Sequence, residues 1–318
     1  MFSSECLPVS IAKTVLILSF LGGLGAGPAG AQSEPSSEAD TTEGFQYELS
    51  GKFSGTQAAY KDWQEGGLNT LSFTAGLNGT AEREEGRWAQ THELRLSFGL
   101  ITSEGDDPDE PIRKADDQIR LESNFRYTGE DFFRRFKPTV SARLRTQFAK
   151  GFSYSENPFT GAHPNNPLAG DDPPVQTSAF FAPAYLVQTL GLTYAPKDGY
   201  TVRLSAAAKQ TVVRDPKLRV LYDVNTSKVV RAEAGAELAA TIDREIATNV
   251  RYKSSAIVFF SVNQLENPPD VLWENYLTLR VNRWLTTNLE FVALFDQNTS
   301  TAIQLKEVIS VGVTFDLI

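Results

Sequence analysis

Apolar residues recur at every second position over long segments of this chain, and polar residues occupy the positions between them. The segment 118–129 shows the pattern most clearly. Its apolar positions are Ile119, Leu121, Phe125 and Tyr127, and its polar positions are Arg120, Glu122, Asn124 and Arg126. A period of two is typical of a β-strand whose two faces lie in different surroundings. From residue 45 onward no segment has helical periodicity, so the pattern predicts an all-β fold.

Twelve such segments follow one another along the chain. They are 45–58, 68–81, 88–101, 118–129, 140–148, 183–195, 200–209, 230–242, 250–260, 273–281, 287–296 and 304–317. Most are longer than the five or six residues of a typical strand in a soluble protein. An even number of long strands is typical of bacterial outer-membrane barrels. We therefore predict a single antiparallel transmembrane β-barrel of about twelve strands over residues 45–318.

Short and long connections alternate between these strands. The short ones are 82–86, 128–131, 196–199, 243–245 and 282–283, and the long ones are 59–67, 102–117, 150–182, 214–228, 263–270 and 297–303. Outer-membrane barrels place short turns in the periplasm and long loops outside the cell. We expect the same arrangement here, with the longest loop, 150–182, forming an exposed and irregular surface loop.

Aromatic residues lie near the predicted strand ends, as expected at the boundary between lipid and water. We predict an aromatic girdle that includes Trp88, Tyr127, Tyr194, Tyr200, Trp273, Trp284 and Phe315. The final segment alternates through Val311, Val313 and Phe315, which resembles the signal that the barrel-insertion machinery recognises. We therefore expect that machinery and outer-membrane lipid to be partners.

The first residues have the features of an export signal. Lys13 precedes an apolar run from Thr14 to Leu24, and the small residues 29–31 provide a cleavage site before Gln32. We predict a signal peptide over 1–31 and export to the outer membrane. Residues 32–44 are acidic and lack large apolar groups, so we expect a flexible acidic leader.

The formal net charge of −9 and the isoelectric point near 5.0 argue against a nucleic-acid partner. The polar positions of the strands are nevertheless rich in cations. We expect the barrel lumen to be lined by Arg95, Arg120, Glu122, Arg126, Arg143, Arg145, Arg203, Arg231, Glu233, Glu237, Arg251, Lys253, Glu274, Arg280 and Glu290. Such a set could attract a small anionic solute, or its Arg–Glu pairs could fill a narrow lumen. Both readings remain open, so passage of small solutes stands beside a structural or binding role.

Residues for catalysis are few. The two histidines, His92 and His163, have no serine and orienting carboxylate at a useful spacing. The single cysteine, Cys6, falls in the predicted signal peptide, and no metal-ligand cluster or phosphate-binding glycine loop is present. We therefore predict no catalytic residues, no metal and no cofactor. The alternatives are a membrane-embedded hydrolase of lipid or lipopolysaccharide and a soluble, secreted ligand-binding β-barrel.

Several short stretches resemble an uncharacterised family of outer-membrane β-barrels from Bacteroidetes-type bacteria. They are Trp63 to Gly67 with Leu68, Asn69 and Thr70, then Trp88, Gly151 and Phe152, Asn157 to Phe159, Asp270 to Glu274, and Gln304 to Glu307. The resemblance extends over essentially all of the chain beyond the predicted signal peptide. It implies a barrel in the outer membrane and implies no substrate or catalytic residue.

Overall fold

A computed structural model describes residues 44–58, 69–103 and 112–318. The predicted signal peptide, nearly all of the acidic leader, the loop 59–67 and much of the loop 102–117 lie outside the described residues. Within the described ranges, none of the helices is long and apolar enough to cross a membrane.

Fourteen strands and two short helices make up the described parts of the chain. The strands are β1 (Gln46–Ala58), β2 (Thr70–Glu85), β3 (Trp88–Ser103), β4 (Arg113–Tyr127), β5 (Phe136–Thr146), β6 (Gly151–Ser153), β7 (Val175–Ser178), β8 (Ala184–Lys197), β9 (Tyr200–Val212), β10 (Val230–Ala247), β11 (Val250–Ser261), β12 (Asp270–Arg280), β13 (Leu285–Asp296) and β14 (Ser300–Asp316). The helices are α1 (Phe132–Arg135) and a 3-10 turn (Arg219–Tyr222).

Twelve of these strands form one closed antiparallel barrel, and β6 and β7 form a separate hairpin. Barrel strands that follow one another along the chain are neighbours, with β5 next to β8, and β1 pairs with β14 to close the ring. This arrangement confirms the predicted fold and strand number.

The barrel is apolar on the outside and polar on the inside. Leu190 and Leu204 point outward, and each is 63% exposed. Lys209, Glu233 and Glu237 point inward and are 7%, 3% and 1% exposed. A soluble barrel would bury its apolar face and leave the charged one in water, so this distribution belongs to a barrel that is surrounded by lipid. The soluble alternative does not fit.

Two predicted connections are wrong. The loop predicted at 297–303 is a tight turn at 297–299, where Asp296 accepts hydrogen bonds from the backbone N–H groups of Asn298 and Thr299. Pairing with β13 then extends β14 back to Ser300. The break predicted at 243–245 is part of β10, which continues to Ala247 because this end of the strand pairs with the start of β11, from Asp243 opposite Lys253 to Ala247 opposite Val250. Asp243 accepts a bond from Arg251 at 2.7 Å.

The loop predicted at 102–117 is also shorter, because β3 reaches Ser103 and β4 starts at Arg113. Asp116 and Asp117 therefore belong to a strand. Asp116 faces the lumen, and Asp117 accepts bonds from the backbone N–H groups of Phe148 and Ala149, where the longest loop begins.

The longest loop is folded, contrary to the expectation of an irregular surface loop. It contains the β6–β7 hairpin and packs against the connection 213–229 through a cluster of apolar side chains, which we call the cap cluster. Its fully covered members are Phe159, Val175, Ala182, Val213, Leu218 and Val224. Hydrogen bonds from Tyr222 to the carbonyl of Thr177 (2.9 Å) and from Asn166 to the carbonyl of Lys217 (2.7 Å) join the two connections. A loop that buries apolar side chains in this way can hold one shape.

Lipid around the outer face gives a direct prediction for Leu190, which lies in the middle of β8 opposite Val140 and Ala206. In a bilayer, Leu190→Arg should lower the free energy of unfolding by about 2–4 kcal/mol, because a guanidinium near the midplane is costly. Ile246→Arg is the matched control. Ile246 is 60% exposed but lies at the end of β10 beside a turn, so its substitution should cost about 0–1 kcal/mol. Urea unfolding in lipid vesicles measures both, and equal small effects would contradict a lipid-facing β8.

Candidate functional site: the charged lumen

The residues predicted to line the lumen lie on the inward faces of their strands. They line three adjoining cavities or form ion pairs beside them. The predicted girdle residues lie on the outside or at the turns. Trp88 packs on Tyr127 (ring centroids 5.0 Å apart), Tyr194 on Phe136 (5.4 Å) and Trp273 on Phe291 (5.7 Å). Trp284 and Phe315 are about half exposed, and Tyr200 lies under Arg244.

One ion pair spans the lumen between β4 and β12. Nη1 of Arg120 donates to both carboxylate oxygens of Glu274, at 2.7 and 2.6 Å. Tyr276, two positions along the same inward face, donates its hydroxyl to Glu274 at 3.3 Å. The two strands are on different sides of the ring, so this bridge divides the interior.

A second carboxylate holds two guanidinium groups. Glu237 on β10 accepts hydrogen bonds from Arg143 on β5 and from Arg203 on β9. A buried carboxylate requires such partners, because burial removes its hydration. Two cations on one carboxylate leave an excess of positive charge at this level of the barrel.

A third cluster lies toward the long loops and includes two acids that the sequence analysis missed. Nζ of Lys209 is 2.6 Å from Asp270 and 2.8 Å from Asp296, and it is 3.6 Å from Glu233. Arg231 contacts Glu233 at 3.3 Å. Asp270 lies an even number of positions from Glu274 on β12, so extending the alternation would have placed it in the lumen.

Two of the cavities between these bridges share a wall. We call them the central chamber, of about 390 Å³, and the vestibule, of about 930 Å³. Residues that line both include Asn78, Thr80, Arg95, Lys253 and Tyr276. The vestibule reaches the short-turn end of the barrel at Arg251 and Arg280. The cations and carboxylates that line it are nearly equal in number. Lys306 forms ion pairs with Asp116 and Glu290, each at 3.0 Å, and neither ion pair was predicted from the sequence.

The central chamber carries an excess of cations. Its cationic lining residues are Arg95, Arg120, Arg126, Arg143, Arg203 and Lys253, and its carboxylates are Glu93, Glu122 and Glu274. Among the described residues, Arg95 has no carboxylate within ion-pair distance and instead lies over the ring of Tyr276, 4.5 Å from its centroid. Arg126 likewise has no ion pair there, and its Nε is buried without a hydrogen-bond acceptor. The chamber is therefore suited to attracting anions.

The histidines differ from expectation in one respect. His92 points outward, and its Nδ1 lies 3.0 Å from the hydroxyl of Ser123 on the neighbouring strand. No serine was predicted as a partner for this histidine. The ring is flanked by Phe45 and Phe125, and within the described part of the chain no carboxylate or amide orients it. The described ranges also contain no group of three or more His, Cys, Asp or Glu side chains able to hold a metal ion.

The fold and the lumen define a transmembrane β-barrel with a charged interior. Residues 56–152 of the chain match the sequence profile of a family described as Protein of unknown function (DUF3078). The match confirms the expected resemblance to an uncharacterised family over that part of the chain, whereas the stretches at 157–159, 270–274 and 304–307 lie outside it. No curated protein matches the chain.

The chain also aligns with solved structures at low identity. An outer-membrane channel from Pseudomonas putida F1 (COG4313) has 10% identity and a TM-score of 0.37, with 88% of this chain and 98% of that chain covered. The NanC porin has 9% identity and a TM-score of 0.37, with 84% and 100% covered. The translocator domain of the autotransporter NalP from Neisseria meningitidis has 7% identity and a TM-score of 0.34, with 87% and 90% covered. Likeness at this level leaves the function to be argued from the lumen itself.

The shared carboxylate of Glu237 yields a second prediction. Glu237→Gln should lower the free energy of unfolding by about 3–5 kcal/mol, because it leaves two buried guanidinium groups without their anion. Glu122→Gln is the control, since Glu122 also faces the chamber but accepts, within the described residues, one hydrogen bond, from Asn124 at 3.3 Å. Its loss should be about 1 kcal/mol or less. Equal losses in denaturant titrations of the two variants would show that Glu237 does not neutralise this cluster.

Proposed function

We propose that this chain is an outer-membrane β-barrel that admits small polar solutes, with a preference for anions, into the central chamber. In this proposal the short turns and both chain ends face the periplasm, and the cap cluster faces outward. The observation that carries the proposal is the excess of cations around the chamber together with its shared wall with the vestibule.

The ion pairs limit the size of what could pass. Arg120–Glu274 and the group around Glu237 cross the interior, so the lumen is a set of connected cavities and not an open tube. This geometry combines the two readings of the sequence: some Arg–Glu pairs fill space, and other cations remain available. Small solutes would suit such a lumen, whereas large ones would not.

Charge selection follows from the position of the free cations. The whole chain has a formal charge of −9, but a solute inside the barrel responds to the charges that line its path. A cavity with walls of low dielectric focuses the field of its own lining. The chamber should therefore favour anions although the protein is acidic.

Planar bilayers test this proposal. In a KCl gradient, the purified protein should carry a small current. Its reversal potential should lie between zero and the equilibrium potential of chloride. Arg95→Glu should move the reversal potential toward that of potassium, because Arg95 lies where the two cavities meet. Arg134→Glu makes the same change in charge on the exposed helix α1 and should leave the reversal potential unchanged. Absence of current from folded protein, or preference for cations, would contradict the proposal.

A hydrolase is the second candidate, and the hydrogen bond between Ser123 and His92 on the outer face is the observation that favours it. Without an orienting group for the histidine, we expect the purified barrel to leave phospholipid intact. Release of fatty acid from labelled phospholipid would reverse this assignment if Ser123→Ala abolished it while Ser141→Ala, an inward-facing serine, did not.

A further inference from the structure

Two guanidinium groups in the central chamber have buried N–H groups without acceptors. Nε of Arg126 and Nε of Arg203 are both shielded from solvent, and neither has a hydrogen-bond partner. Buried donors of this kind are normally paired, because an unmade hydrogen bond to a charged group is expensive. The Nε atoms themselves are out of reach of a solute, but both side chains line the chamber, so an anion that enters it can bind their guanidinium groups.

The two side chains line the same chamber from different strands. Asn124 lies two positions before Arg126 on the inward face of β4, and its side-chain oxygen accepts a hydrogen bond from Nη1 of Arg203 at 2.9 Å. Arg203 comes from β9, so this bond directs its guanidinium toward the wall that carries Arg126. The carboxylate of Glu237 is already shared between Arg143 and Arg203, so it does not fully neutralise Arg203.

Hydroxyl groups form the rest of the wall at this end of the chamber. Thr139 and Thr193 are hydrogen-bonded at 2.8 Å, and so are Thr201 and Thr241. All four line the chamber, and each hydroxyl has capacity for a further bond. Few apolar side chains contribute to the lining. A ligand that fits here would carry an anionic group for the guanidinium donors and hydroxyl groups for the threonines.

We infer that the central chamber is a binding site for a small hydroxylated oxyanion, such as a sugar acid or a sugar phosphate, whose anionic group is held by Arg126 and Arg203. Guanidinium groups bind carboxylate and phosphate oxygens in the same forked geometry, so the two anions share one chemistry. The volume of about 390 Å³ lies within the usual range for small-molecule sites. The inference rests on the proposed function only in that the ligand must be able to enter the lumen.

Calorimetric titration of the detergent-solubilised barrel tests the site without requiring conductance. The probes are glucuronate, glucose 6-phosphate, glucose and inorganic phosphate. We expect saturable binding of at least one of the two sugar anions, no binding of glucose, and weaker binding of inorganic phosphate. The tighter of the two sugar anions identifies the preferred anionic group. Failure of both sugar anions to bind, or equal affinity for inorganic phosphate, would overturn the inference.

Arginine variants locate the site. Arg126→Gln should weaken binding at least tenfold, and it strands no carboxylate because Arg126 has no ion pair within the described residues. Arg280→Gln removes a lumen-facing arginine that lines the vestibule only and should change affinity less than twofold. Arg126→Lys keeps the positive charge but removes the bidentate guanidinium geometry, so its loss of affinity should lie between those of the two glutamine variants.

Heat-modifiable migration on gels confirms that each variant is folded before titration. An unchanged affinity in folded Arg126→Gln, or equal losses in the two glutamine variants, would refute binding at this place. Binding without current in bilayers would instead contradict the proposed passage and leave the site intact. The failure of one proposal can therefore be distinguished from the failure of the other.

Discussion

The pairing of β1 with β14 is the interaction on which the rest of the structure depends, because it removes the two free edges of the sheet. Backbone N–H and C=O groups at a free edge would face lipid without partners, which a membrane does not tolerate. The seam runs from Ser50 opposite Asp316 to Gly55 opposite Val311. Gly312 lies within it, and a Cβ atom there would approach the carbonyl oxygen of Phe53 to 2.5 Å. Close approach of the two strands therefore requires a residue without a side chain.

Closure also decides which charges meet inside. Once the ring is complete, one face of every strand lines a shared, narrow interior that excludes lipid. Arg120 and Glu274 are 154 positions apart in the chain and become partners only through the register of all the strands between them. The carboxylates with several partners, such as Glu237, stabilise the interior. In the proposed function, the cations left over, Arg95 and Arg126, set how the interior responds to a solute.

The sequence predicted the strands well because a period of two is a property of each segment by itself. It predicted their ends less well, since the ends depend on pairing with a neighbour. Ser300 lay in the predicted loop 297–303, and only its position opposite Asp296 makes it a strand residue. Packing in the cap cluster was hidden for a similar reason, because its apolar residues come from two connections far apart in the chain.

The candidate site was also predictable only where it depends on single strands and not on how the strands pair. Alternation alone placed the arginines and glutamates on the inner face, but it gave no information about which of them pair and which stay free. His92 and Ser123 were beyond the reach of sequence reasoning, because the long connection between β3 and β4 and the register shift between Gly99 and Leu100 leave the pairing of these strands open in the sequence. Asp116, Asp270 and Lys306 were missed because they fell beyond or outside the segments with the clearest alternation.

The central claim is that one face of each strand touches lipid and the other faces an aqueous, charged lumen. Spin labels on single-cysteine variants of β9, from Val202→Cys to Ala207→Cys in a background without Cys6, test it most directly in lipid vesicles. Accessibility to oxygen, which concentrates in lipid, should be high at Val202, Leu204 and Ala206 and low at Arg203, Ser205 and Ala207. Accessibility without a period of two, or access of a water-soluble relaxation agent to the Val202, Leu204 and Ala206 positions, would contradict the account.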